Sequence, residues 1–152
     1  VKGPKQLIAQ TIQLALAPVF MLVAIGNIMN ILSTRLGRVV DRSRILQERH
    51  ETTSGPEHDA IVREIRLLDR RISTISQAIR LLVLSALTVG LVVALLFIEE
   101  FAALDIQVVV ALIFMLAIGF LMAALLLFMR ETRAATDALS IPETYLEWER
   151  KL

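Results

Sequence analysis

The chain has 152 residues, 56% of them hydrophobic, and its 16 basic and 15 acidic side chains nearly cancel to a net charge of +1. Nearly half its length lies in long apolar stretches, which leaves no room for a separate soluble domain of ordinary size. It contains no cysteine, which excludes a disulfide framework, a thiolate metal site and a dithiol redox pair.

Residues 7–32 form the first stretch without a charged side chain, and residues 81–98 and 106–129 form two more. A helix needs about 20 apolar residues at ~1.5 Å each to cross about 30 Å of hydrocarbon, so each stretch is expected to be a membrane span. The first begins near Lys2 and Lys5 in the manner of a signal peptide. Its apolar part is too long for a signal core, and its helical pattern continues past any plausible cleavage site, so it reads as a retained span.

Within span one, Leu22, Ile25, Met29, Leu32, Leu36, Val39, Ser43 and Leu46 recur at alternating steps of three and four. That is a heptad seam, and it runs past the end of the apolar stretch into charged sequence. The opposite side of the same helix carries Gln10, Gln13, Asn27, Asn30 and Thr34, continued by Arg38 and Asp41. Amide side chains are costly in hydrocarbon without partners, so this polar face is expected to avoid lipid and to meet span three, a second copy, another subunit or water. Pro18, mid-span, removes one backbone hydrogen bond and is expected to bend the helix slightly.

The segment 50–59 reads as a turn. Gly55-Pro56 breaks the helix, Pro56 suits a first helical turn, and Ser54 or Thr53 is placed to cap the second helix. From Ile61 a second seam runs through Ile65, Leu68, Ile72, Ile75, Ile79 and Leu82, then into span two through Ala86, Val89, Val93 and Leu96. The expectation is an all-α membrane fold of three spans, with spans one and two extended as an antiparallel coiled-coil hairpin over residues 35–80. The three-span unit would occupy 1–133. His50 and His58 flank the hairpin tip and can meet across it, but two histidines in a polar turn do not make a metal site.

Ten arginines lie between spans one and two, whereas the link between spans two and three carries Glu99, Glu100 and Asp105 and no base. Basic loops stay in the cytoplasm, so the hairpin and C-terminus are expected inside and the N-terminus outside. Arg35, Arg38, Arg71 and Arg80 would sit near the hairpin base, within reach of anionic headgroups. Interspersed acids argue against nucleic-acid binding. Small residues at four-residue spacing, Ala86, Gly90 and Ala94 in span two and Gly119 and Ala123 in span three, favour close helix packing within the chain or between copies.

Residues 134–152 read as a cytoplasmic tail. Ser140 and Glu143 have capping-box spacing, and Tyr145, Leu146, Trp148 and Leu152 would lie on a short final helix.

No catalytic triad, metalloprotease motif or phosphate loop is present, and no ionisable residue falls inside the spans as bounded above. The expected function is non-enzymatic: an accessory subunit of a membrane complex or a self-assembling scaffold, with the polar face of span one as its contact. The alternative is a small oligomeric channel lined by Gln10, Gln13 and Asn27, which ion flux in liposomes would separate from the first reading. The expected partners are the bilayer and a homo-oligomer or larger complex. No nucleic acid, small-molecule substrate, cofactor or metal is implied.

The runs LALAPVF at 14–20 and TRLGRVVDR at 34–42, with Arg70-Arg71-Ile72 and Leu84-Ser85-Ala86-Leu87, resemble a family of small bacterial integral membrane proteins catalogued as domain of unknown function 2721. The resemblance covers about residues 5–130. It implies a bacterial protein with three spans, placed in the inner membrane, and it implies no activity.

Overall fold

The computed structural model describes residues 4–102 and 105–137, with side chains over 8–102 and 105–135. Within these residues the chain is all-helical. Helix α1 runs Pro4–His50, α2 runs Pro56–Ala102 and α3 runs Gln107–Asp137. All three are long and apolar enough to cross a membrane. At 47 residues each, α1 and α2 extend about 70 Å, more than twice the ~30 Å of a hydrocarbon core, so both must continue well beyond any bilayer they cross.

Helix α2 is central, packing against α1 along one side and α3 along another. On α1 the buried positions are Thr11, Ala15, Pro18, Ile25, Leu32, Val39, Ser43 and Leu46. They continue the three-four spacing seen in the sequence, and extend it to Thr11, well toward the N-terminal end. On α2 the matching positions are Ile61, Leu68, Ile75, Leu82 and Val89. The expected seam residues Leu36, Val39, Leu46, Ile61, Ile65, Leu68 and Ile72 all lie in this core or packed against it. Three cross-contacts fix the pairing as antiparallel: the His50 and His58 rings lie 4.3 Å apart, Arg42 Nε donates to Glu64 Oε1 at 2.9 Å, and Thr11 Oγ1 donates to Glu100 Oε2 at 3.2 Å.

A second buried stripe on α2, Ala78, Ser85 and Val92, receives α3. Helix α3 answers with Val110, Ala117, Ala124 and Glu131, again one every seven residues. The facing residues are small, so the backbones come close. Ser85 Oγ donates to the Ala117 carbonyl at 2.8 Å, both residues being wholly buried. In a bilayer, where burial gains nothing over lipid, close van der Waals packing and hydrogen bonds of this kind hold helices together. In the charge-rich half of α1 and α2 water is the alternative, and each buried leucine or isoleucine contributes about 1.5–3 kcal/mol.

The turn differs from expectation in its capping. The Thr52 and Thr53 hydroxyls both donate backward to the Arg49 carbonyl, at 3.1 and 3.0 Å, and so close the end of α1 rather than open α2. Pro56 starts α2 as expected. Gly55 has φ of +71°, a left-handed conformation in which a Cβ costs roughly 1–2 kcal/mol. Nothing crowds that position, so the backbone alone sets the penalty. Gly55→Ala is expected to lower thermal stability by about that amount, read as the unfolding midpoint in mild detergent. A variant as stable as the wild type would mean that the turn is not held in this conformation.

Two further expectations change. Glu99 and Glu100 belong to α2 rather than to the link after it. Gly90, Ala94 and Gly119 are exposed, and a Cβ at either glycine would meet nothing within 4 Å, so these small residues do not pack α2 on α3. Ala78, Ser85, Ala117 and Ala124 do so instead. The expected tail helix lies outside the described residues.

Candidate functional site

Two polar features distinguish the surface and the interior. The first is the outer face of α1. Gln10, Gln13, Asn27, Asn30, Thr34, Arg38 and Asp41 are all exposed on the isolated chain. Their faces follow from the seam: with Ile25, Leu32 and Val39 turned toward α2, residues two or five positions away turn outward. Helix α3 does not cover this stripe, because it packs on α2. Span three is thereby removed from the partners expected for the polar face.

The second feature joins all three helices and was not foreseen. Glu131 falls on the buried stripe of α3, seven residues after Ala124, and its side chain is 1% exposed. Arg71 of α2 donates to its Oε1 twice, from Nη2 at 2.9 Å and from Nε at 3.1 Å. Arg35 of α1 places Nη2 3.0 Å from Oε2, an ion pair whose angles make no hydrogen bond. Arg35 is also held by Thr132, whose hydroxyl accepts from Nη1 at 3.2 Å, and its guanidinium carbon lies 5.3 Å from the centre of the Phe128 ring. Thr132 in turn donates to the Phe128 carbonyl at 3.0 Å. One carboxylate thus faces two guanidiniums in a site closed to water on the carboxylate side. A buried acid alone would be expensive, and two partners offset that cost. The arrangement is a clasp. It brings α1 into contact with α3, which otherwise meets only α2 closely.

The sequence did carry a sign of the clasp. Val110, Ala117, Ala124 and Glu131 form one seven-residue series, and a charge at the end of an otherwise small, apolar series is anomalous. The arginines at the expected hairpin base are not all at one level. Arg71 and Arg35 meet at Glu131, but Arg80 lies nine residues further along α2, about 13 Å away toward the apolar end. At that depth the flanking segments of α1 and α3 carry no charge. Arg80 therefore lies level with uncharged segments of the other two helices, directly before the apolar stretch 81–98 of its own.

The two histidine rings at the tip meet as expected, and His58 Nδ1 is buried without a hydrogen bond. Among the described residues no group of three or more His, Asp or Glu side chains is arranged to hold a metal ion.

This architecture defines a class: an all-helical chain with three candidate membrane-spanning helices, tied together by a buried Arg–Glu–Arg clasp. The chain belongs to the family described as Protein of unknown function (DUF2721), which it matches over residues 15–141. The match starts later than the resemblance suggested and extends past Arg133 into the tail, and it includes all three members of the clasp. No curated protein and no solved structure matches the chain.

Proposed function

We propose that the protein is a non-enzymatic structural or interaction component of a bacterial cytoplasmic membrane, acting as a self-assembling scaffold or an accessory subunit. The observation that carries this reading is the outer face of α1. Asn27 and Asn30 stay exposed after the three helices have packed, in a stretch whose other exposed residues, Val23, Ala24, Gly26 and Ile31, are apolar. Amides left in hydrocarbon need partners, and among the described residues no helix of the chain covers them. The charge-rich halves of α1 and α2 form a coiled-coil hairpin projecting into the cytoplasm. The ten arginines of that region support this orientation.

The test is the mass of the assembled particle in mild detergent after Asn27→Leu with Asn30→Leu. These replacements remove polarity without touching the core, so folding is expected to persist while assembly is weakened or lost. A particle of unchanged mass would remove this face as the contact.

A further inference from the structure

We propose that the occupant of the α1 polar face is a second copy of this chain, seated by the exposed back of its α2. The inference rests on the assembly reading above and names the partner surface.

The Arg42–Glu64 and His50–His58 contacts bracket one antiparallel register. It places Leu46 level with Ile61, Val39 with Leu68, Leu32 with Ile75 and Ile25 with Leu82, all members of one buried cluster. Residues on the outward faces of α1 and α2 therefore have known relative depths. Copies inserted in one membrane with one orientation share those depths, so the outer face of α1 in one copy and that of α2 in the next can be compared level by level.

They match in kind at each step. Asn27 lies level with Arg80, Asn30 with Gln77 and Thr34 with Ser73, and all six are exposed. Each pair can hydrogen-bond. Beyond them Arg38 lies level with Asp69, and Asp41 with Arg66, again all exposed. Both pairs join opposite charges, and the sign reverses between one pair and the next, which fixes the register against a slip. Among the described residues none of these four has an ion-pair partner within the chain. In the other direction the levels turn apolar together: Val23, 59% exposed, faces Leu84, 46% exposed, and Phe20, 69% exposed, faces Leu87, 67% exposed. The match also gives Arg80 a polar counterpart at a level where the described segments of α1 and α3 carry no charge.

The two faces lie on opposite edges of the α1–α2 pair, since each is turned away from the shared seam. The contact is therefore head-to-tail. Each copy gives α1 to one neighbour and α2 to the other, which builds a closed ring or an open row.

The chain contains no cysteine, so introduced thiols report without background. Full-length chains carrying Thr34→Cys and Ser73→Cys, each with a different tag, are co-expressed and oxidised in native membranes. The expected result is a disulfide-linked dimer joining the two tags, with neither variant linking to itself. The native mass of the same particles is measured alongside. A multi-copy particle in which Thr34→Cys links to its own kind, or in which no mixed dimer forms, would overturn the head-to-tail pairing and leave the assembly reading standing. A single-chain particle would overturn both. Exchange of one charged pair provides a second check. Asp41→Arg or Arg66→Asp alone is expected to abolish the mixed cross-link, and the two together to restore it. Unaffected cross-linking in the single variants would count against the register.

Discussion

Replacing Glu131 by alanine is expected to destabilise the protein by about 3–5 kcal/mol, the largest effect of any single change considered. The reason lies in the geometry of the clasp. The carboxylate is almost wholly buried, while Arg35 and Arg71 are 23% and 28% exposed. Truncation leaves two guanidiniums facing one another across a partly desolvated gap, with nothing to balance their charge. Arg71 loses both its hydrogen bonds to Glu131, and α3 loses its ion pair to Arg35 of α1, leaving only the Thr132 and Phe128 contacts of that arginine. Glu131→Gln keeps the shape and removes the charge, so it should fall between the wild type and the alanine variant. Replacing all three members by apolar residues of similar volume removes the charges together, and is expected to be neutral or stabilising. Thermal unfolding of the four proteins in one detergent checks the account. A triple variant less stable than Glu131→Ala would show that the clasp contributes more than charge balance.

Ile75→Ala ranks second, with an expected loss of about 2–5 kcal/mol. Ile75 is 1% exposed and lies in step with Leu32, which is fully buried. The site is midway along α2, between the apolar stretch and the charge-rich half, where helices on both sides limit collapse around a cavity. The same truncation at Leu67, which is 56% exposed, should change stability by less than about 0.5 kcal/mol. Chemical or thermal denaturation of the two variants in parallel isolates the seam. Equal effects would mean that α1 and α2 are not packed where the buried series places them.

The seam between α1 and α2 was legible because its residues are large, apolar and strictly spaced, and because the spacing crosses from apolar to charged sequence without a break. The turn was legible from Gly55-Pro56. The capping was not, since a threonine hydroxyl can bond forward to an amide or backward to a carbonyl, and sequence does not choose between them. The position of α3 was hidden for a different reason. It is apolar on all sides, and the stripe of α2 that receives it consists of Ala78, Ser85 and Val92, residues too small or too polar to register as a seam. The small residues that stand out by their four-residue spacing, Gly90 and Gly119 among them, face outward.

Glu131 was hidden by the habit of ending a span at its first charge. It follows Arg130 and precedes Arg133, and in that company it reads as part of a polar tail. Only its phase with Val110, Ala117 and Ala124 distinguishes it. The level of Arg80 was hidden for a related reason: its own helix becomes apolar only after it, but the neighbouring helices become apolar earlier, and relative level is set by the bundle rather than by one helix alone. The outer face of α1 was fully legible as polar. What it meets was not, because that depends on the back of α2, whose polar residues look like an ordinary solvated flank until the register places them level with their counterparts.

The most direct test of the central claim, that this chain works as part of an assembly, is the mass of the wild-type particle released gently from its native membrane. The account predicts a particle several times heavier than one chain of 17.0 kDa, composed of this chain alone. A correctly folded particle of a single chain would contradict it.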